Sequence, residues 1–275
     1  MRTRTGEILA VVIGPGISRL LARERAARVS DLRYAVQLSI PDARAAAIPG
    51  EADISFALAD ASRDLALDFA PDRHGRLDGC WINGEAASLA VVDGHIVLPA
   101  RRLRGGSNTV RLTFHAGSRP LHRRDDHVYT IFVPARAHEM LPCFDQPDLK
   151  ARWALTLEIP AGWSAVSNGD LAAQRTMTSA SGEVRTLIRF GDTELIPSYL
   201  FAFAAGVLEC TVHDTGERRL RIWHRAPDAE PLGANMTPLI DLHLRSLAWL
   251  GAYTAVTYPF GKFDIVLLPA FQRSE

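Results

Sequence analysis

A chain of 275 residues has room for one or two domains and buries roughly three quarters of its unfolded surface. Its 31 lysines and arginines balance 31 aspartates and glutamates, so no long-range field draws in nucleic acid or an anionic membrane. Three widely spaced cysteines, Cys80, Cys143 and Cys210, argue against a disulfide framework or a Cys-x-x-Cys metal knuckle and are expected to be buried free thiols.

At the amino terminus Arg2 and Arg4 precede a short apolar run, residues 8–13, which gives no clear signal peptide. Nothing approaches the length of a membrane span, and the compartment stays open between cytoplasm and periplasm. Residues 19–28 have the leucines, alanines and charges of a short helix or an extended lead-in. Leu32, Tyr34, Val36, Leu38 and Ile40 then alternate with polar residues, the period of a half-buried strand. The pattern returns in Ala52, Ile54, Phe56 and Leu58, and again in Leu65, Leu67 and Phe69. Asn83-Gly84 marks a hairpin turn, residues 96–98 a short strand, and Val110, Leu112 and Phe114 a longer one. Residues 128–133 predict a buried strand ended by Pro134. Trp153, Leu155, Leu157 and Ile159 predict another, Asn168-Gly169 a second hairpin, and Val184, Thr186, Ile188 and Phe190 a further strand before the apolar run 199–208. Short strands at close intervals, with turns between them, indicate a mainly β fold: a large curved β-sandwich or saddle.

The character changes after Glu209. A strand through Leu220 and Ile222 is followed by a linker at residues 227–231. Thr237 as cap and Pro238 at the first helical position then predict an amphipathic helix over residues 238–253. Residues 265–268 read as a buried strand stopped by Pro269. Strand, helix, strand reads as the incomplete beginning of an α/β domain. The expected division is a lead-in over 1–28, a β domain over 29–209 and a second domain begun at 210–275.

Between the two central strands lies Pro142-Cys143-Phe144-Asp145-Gln146-Pro147. Pro142 and Pro147 each fix a φ angle and press their predecessors towards extended geometry, so the loop is rigid. Asp145, a carboxylate inside it, is expected to accept backbone or arginine hydrogen bonds that hold the loop.

PCFDQPDLKARWALTLEIPAGWSAVSNG, starting at Pro142, resembles the signature of the amino-terminal domain of the aminopeptidase N family of zinc metallopeptidases. Supporting matches are VSDLRY from Val29, PSYL from Pro197 and YPFGKFD from Tyr258, so the resemblance covers about residues 18 to 275. It implies a family β domain followed by the start of a thermolysin-like catalytic domain, cut before the zinc motif. It further implies a peptide substrate, zinc in the full-length parent, no cofactor in this chain, and the missing catalytic domain as partner. Pro142, Asp145 and Pro147 correspond to a structural loop. The family places a Glu or Gln that grips the substrate's amino group nine residues before the loop proline; here that position is Val133. Ser274 and Glu275 correspond to the first two positions of the family's exopeptidase segment. With a valine in the gripping position, strict recognition of a free amino end is not expected.

The residues themselves supply no catalytic centre. A zinc site of this class needs His-Glu-x-x-His on a helix, but the position four residues after His138 holds Pro142. Nucleophile-elbow, phosphate-loop and dinucleotide motifs are absent. His122, Asp125, Asp126 and His127 read as a solvated loop. The competing reading is a free-standing β-sandwich module that binds peptides or glycans through Trp81, Trp153, Trp163, Trp223 and Trp249, most of which are expected to be packing.

Overall fold

Apolar side chains at every second position dictate the architecture, because a strand with one apolar face must bury it against another layer. The computed structural model describes residues 14–179, 182–214 and 219–268. After helix α1 (Arg19–Arg28), the first strands are β1 (Val29–Ser39), β2 (Pro49–Leu58), β3 (Leu65–Asp68) and β4 (Arg76–Ile82). β5 (Glu85–Ala86), β6 (Val91–Val92), β7 (His95–Leu98), β8 (Gly106–His115), β9 (Leu121–Arg123) and β10 (His127–Thr130) follow. Beyond the central loop come β11 (Arg152–Pro160), β12 (Ser164–Ser167), β13 (Leu171–Thr178), β14 (Val184–Phe190) and β15 (Phe203–Gly206). The last elements are β16 (Glu209–Asp214), β17 (Arg219–His224), α2 (Ala229–Thr254) and β18 (Phe263–Val266).

An eight-stranded sheet runs β13-β14-β11-β1-β2-β8-β4-β5, antiparallel except where β1 lies parallel to β11. Its inner face packs on two smaller sheets, β3-β7-β6 and β12-β15-β10-β9, and on the segment that carries the central loop. The core is continuous through all of them. Tyr34 stacks on Trp153 at 3.9 Å between centroids, and Trp153 on Phe201 at 4.5 Å.

A third small sheet, β16-β17-β18, has β18 parallel to β17, with α2 as the crossover between them. Leu220 and Ile222 on one side of this sheet bury Leu232 and Ile240 of α2. Trp223 and Val266 on the other side meet Tyr129, Val166 and Ala204 of the four-stranded sheet.

Several expectations need correction. The helix begins at Ala229, so the expected linker forms a 3-10 turn and the first helical turn, and Pro238 lies inside the helix. Pro231 is accommodated because the first turn's N–H groups have no intrahelical partner anyway. Asn168-Gly169 closes no hairpin: β12 and β13 belong to different sheets. Asn168 instead donates to the Leu200 carbonyl and accepts from Ala202 N, and Gly169 sits where a Cβ would strike the Gly191 carbonyl oxygen. Ladder pairing stops at Thr130. The β18 side chains are half-buried, since β18 is an edge strand. Cys80 and Cys143 are buried thiols, but Cys210 is exposed on the edge strand β16. His127 is buried, bonds Asp126 at 2.7 Å and lies parallel to Tyr129, against which His122 stacks at 4.8 Å.

Candidate functional site

The central loop is held by buried polar contacts from four directions. Asp68, at the end of β3, exchanges two backbone hydrogen bonds with Cys143. Its carboxylate accepts from both Arg25 guanidinium nitrogens, at 2.8 and 2.6 Å, and from the backbone N–H of Asp145 at 2.9 Å. His95 places Nδ1 2.8 Å from the same carboxylate and Nε2 3.0 Å from the Gly16 carbonyl oxygen. Both ring nitrogens lie near acceptors, which favours the protonated ring. Its pKa is accordingly raised, chiefly by the hydrogen bond to Asp68. Burial pushes the Asp68 pKa up, but His95 and Arg25 outweigh it and hold the carboxylate below its ordinary value.

Asp145 is 2% exposed, and its side-chain partners are a histidine and a serine, with no arginine. One oxygen accepts from His138 Nδ1 at 2.6 Å and from His138 N at 3.2 Å; the other accepts from Ser198 Oγ. Burial disfavours a charge on His138, but Asp145 outweighs that and raises its pKa. Serine, histidine and aspartate thus meet, yet both others bond the aspartate, so no base faces the serine and the set is not a nucleophilic triad. Phe144 N donates to the Tyr34 hydroxyl at 2.8 Å and Gln146 donates to the Ala22 carbonyl at 2.9 Å. Burial, with the charges of Asp145 and Asp68, pushes the Cys143 thiol well above its usual pKa, which keeps it protonated and unreactive.

Beyond β10 the chain leaves the sheet and Val133 is half-buried. Thr130, three residues before it, lines a cleft of about 480 Å³ where the four-stranded sheet meets β18. Tyr129, Phe203, Tyr258 and Leu268 supply much of the apolar wall. Lys262 ties the two sides together: its ammonium donates to the carbonyls of Ser167 at 2.6 Å and Gly169 at 3.0 Å, and lies 2.7 Å from Asp264. Ser274 and Glu275 lie outside the described residues.

A resident zinc does not fit the donors described. Among the described residues no three His, Cys, Asp or Glu side chains cluster as a metal would need, and His138 turns its Nδ1 to Asp145. The sequence reading found Asp145 and its prolines but missed Arg25, Asp68, His95 and Ser198. Those four lie 50 to 120 positions from Asp145 and carry no local motif, so nothing in the spacing could have gathered them.

Residues 122–200 match the model of the peptidase M1 N-terminal domain. The chain is 27% identical to aminopeptidase N of Streptomyces lividans over 277 aligned positions, 94% of this chain and 30% of that protein. It is 30% identical to aminopeptidase Q of Acinonyx jubatus over 51% of this chain and 14% of that protein. With puromycin-sensitive aminopeptidase of Caenorhabditis elegans it shares 28% identity over 52% of this chain and 14% of that protein. The chain therefore spans less than a third of the length of these relatives. The loop held by Asp68 and Asp145 lies inside the matched region, and the family match and these relatives together support the amino-terminal region of the M1 aminopeptidase family as what this chain resembles.

Proposed function

We propose that this chain is the non-catalytic amino-terminal portion of a zinc-dependent aminopeptidase, and that residues 128–142 wall the substrate cleft at the peptide's amino end. The parent enzyme would hydrolyse amino-terminal residues from peptides. Residues 29–209 then form the β domain and residues 210–275 begin the catalytic one, which supplies the zinc ligands. The supporting observation is the internal use of the Asp145 carboxylate. A carboxylate with three donors on it, shut away from solvent, positions backbone and has no lone pair directed at a substrate.

Val133, Ser274 and Glu275 belong to the substrate side of this reading. A valine accepts no hydrogen bond from an ammonium group, so amino-end recognition in the parent is relaxed. Metal analysis and a leucine-anilide assay on the purified chain test the main proposal; neither bound zinc nor turnover is expected. Stoichiometric zinc with unaided peptide trimming would overturn it. For Val133, the parent enzyme should cleave free and acetylated peptides at similar rates, and Val133→Glu should favour the free peptide by about tenfold, one charge-assisted contact. Strong rejection of acetylated peptides by the unaltered enzyme would end that part.

A further inference from the structure

The outer face of the eight-stranded sheet carries a polar trough, and its floor is set by one glycine. A register shift in β4 turns Gly79 and Trp81 to the same, solvent side, opposite Thr113 and Arg111 of β8. A Cβ on Gly79 would stand 2.8 Å from the Trp81 ring, so the indole occupies space that only a glycine leaves open. It is half-buried and forms part of the wall of a hollow of about 500 Å³. A second hollow of about 390 Å³ adjoins it and shares Asp53, Thr109 and Arg111.

The register builds one continuous row across five strands. Trp81 pairs with Arg111, Arg111 with Asp53, Asp53 with Ala35, and Ala35 with Ala154. Four strand spacings make it about 19 Å long. Arg111 grips Asp53 through Nε at 2.8 Å and Nη2 at 2.9 Å, with Glu51 at 3.3 Å from Nε. Arg33 pairs with Asp192 at 2.8 Å at the far end. Alanines in mid-trough leave room above the sheet, and the fixed polar groups stand at intervals along it.

We propose that this trough binds a neutral oligosaccharide, one sugar ring stacked on Trp81 and the hydroxyls of the next rings bonded by Arg111, Asp53 and Glu51. Three chemistries compete for such a surface, and the structure separates them. A nucleic-acid strand also stacks on indole but needs uncompensated cations; here two arginines face three carboxylates. An extended peptide takes its affinity from an open sheet edge, whereas the strands beneath this row are paired on both sides from β8 to β11. A polyol needs an apolar platform with directional donors and acceptors and no excess of cations, which is what the row presents. This inference is independent of the aminopeptidase proposal, since the trough lies on the opposite face of the sheet from the central loop.

The test is calorimetric titration of the whole chain with maltohexaose, cellohexaose and xylohexaose, with a heparin hexasaccharide as the charged control. At least one neutral sugar should bind with a Kd below about 1 mM and heparin should not. Trp81→Ala should weaken that binding by about tenfold or more, and Trp81→Phe, which keeps a platform, by less. Arg111→Ala should weaken it too, and far-ultraviolet circular dichroism should show each variant folded. Failure of all three neutral sugars to bind overturns the proposal. So does a folded Trp81→Ala variant that binds as well as the unaltered protein, or binding of heparin in place of the neutral sugars.

Discussion

Arg25 and Asp68 form a two-bonded ion pair out of contact with solvent, and through Asp68 a helix at the start of the chain fixes a loop more than a hundred residues later. The guanidinium also lies 5.6 Å from the centre of the Phe144 ring, within cation–π range. Removing one partner of such a pair strands the other's charge in the interior, at a cost of about 3–5 kcal/mol. Asp68→Ala should therefore lower unfolding free energy by that order in urea titrations. A loss under about 1 kcal/mol would show that the pair is not what holds the loop.

Asp145 presents a second removable anchor. Asp145→Ala leaves Ser198 Oγ and two His138 donors without an acceptor, and unpaired buried donors cost about 1–3 kcal/mol each. Stability should fall by at least about 2 kcal/mol, and amide exchange in residues 138–147 should accelerate relative to the β1–β2 pair. Unchanged exchange there would contradict the anchoring role.

The histidines set a pH dependence. His95 and His138 both have pKa values raised in the folded chain, so each binds its proton more tightly folded than unfolded. Their stabilisation is fully present below the unfolded value of about 6.5 and is lost as pH climbs through the folded values. Asp68 acts oppositely: its lowered pKa contributes stability above the unfolded value of about 3.9, lost as pH falls through the folded one. Unfolding free energy should decline from about pH 6 upward, and His138→Asn should flatten part of that slope. A slope identical in the variant would remove His138 from the account.

Gly169 is required by close approach. A methyl group there meets the Gly191 backbone oxygen, which no rotamer can move aside. Gly169→Ala should destabilise by about 1–3 kcal/mol, the range for overpacking. A neutral effect in thermal unfolding would show that the two strands part freely.

Helix α2 turns one face to solvent: Trp249 is 62% and Tyr253 76% exposed, stacked at 5.0 Å beside exposed Leu242 and Leu250. Apolar area of this kind drives association or draws proteases. Sedimentation of the isolated chain should be concentration-dependent, and Trp249→Glu should reduce that dependence. Exchange in α2 should be faster than in β1 and β2; uniform protection would contradict both expectations.

The sequence alone determined what depends on neighbours along the chain. Alternation at Leu32 to Ile40 and at Trp153 to Ile159 marked strands, because a two-residue period is local geometry. The Pro142–Pro147 spacing marked a rigid loop because proline restricts its own backbone. The helix start was misplaced since Thr237-Pro238 mimics a cap, and only the burial of Leu232 on Leu220 and Ile222 extends the helix to Ala229. Asn168-Gly169 misled for the same reason: a turn dipeptide does not say which sheet receives the next strand. Tertiary structure alone gathered Arg25, Asp68, His95 and Ser198 around the loop and set the Trp81 ring against Gly79. Those choices are made by strand register and sheet order, which join residues far apart in the chain and leave no periodic trace in it.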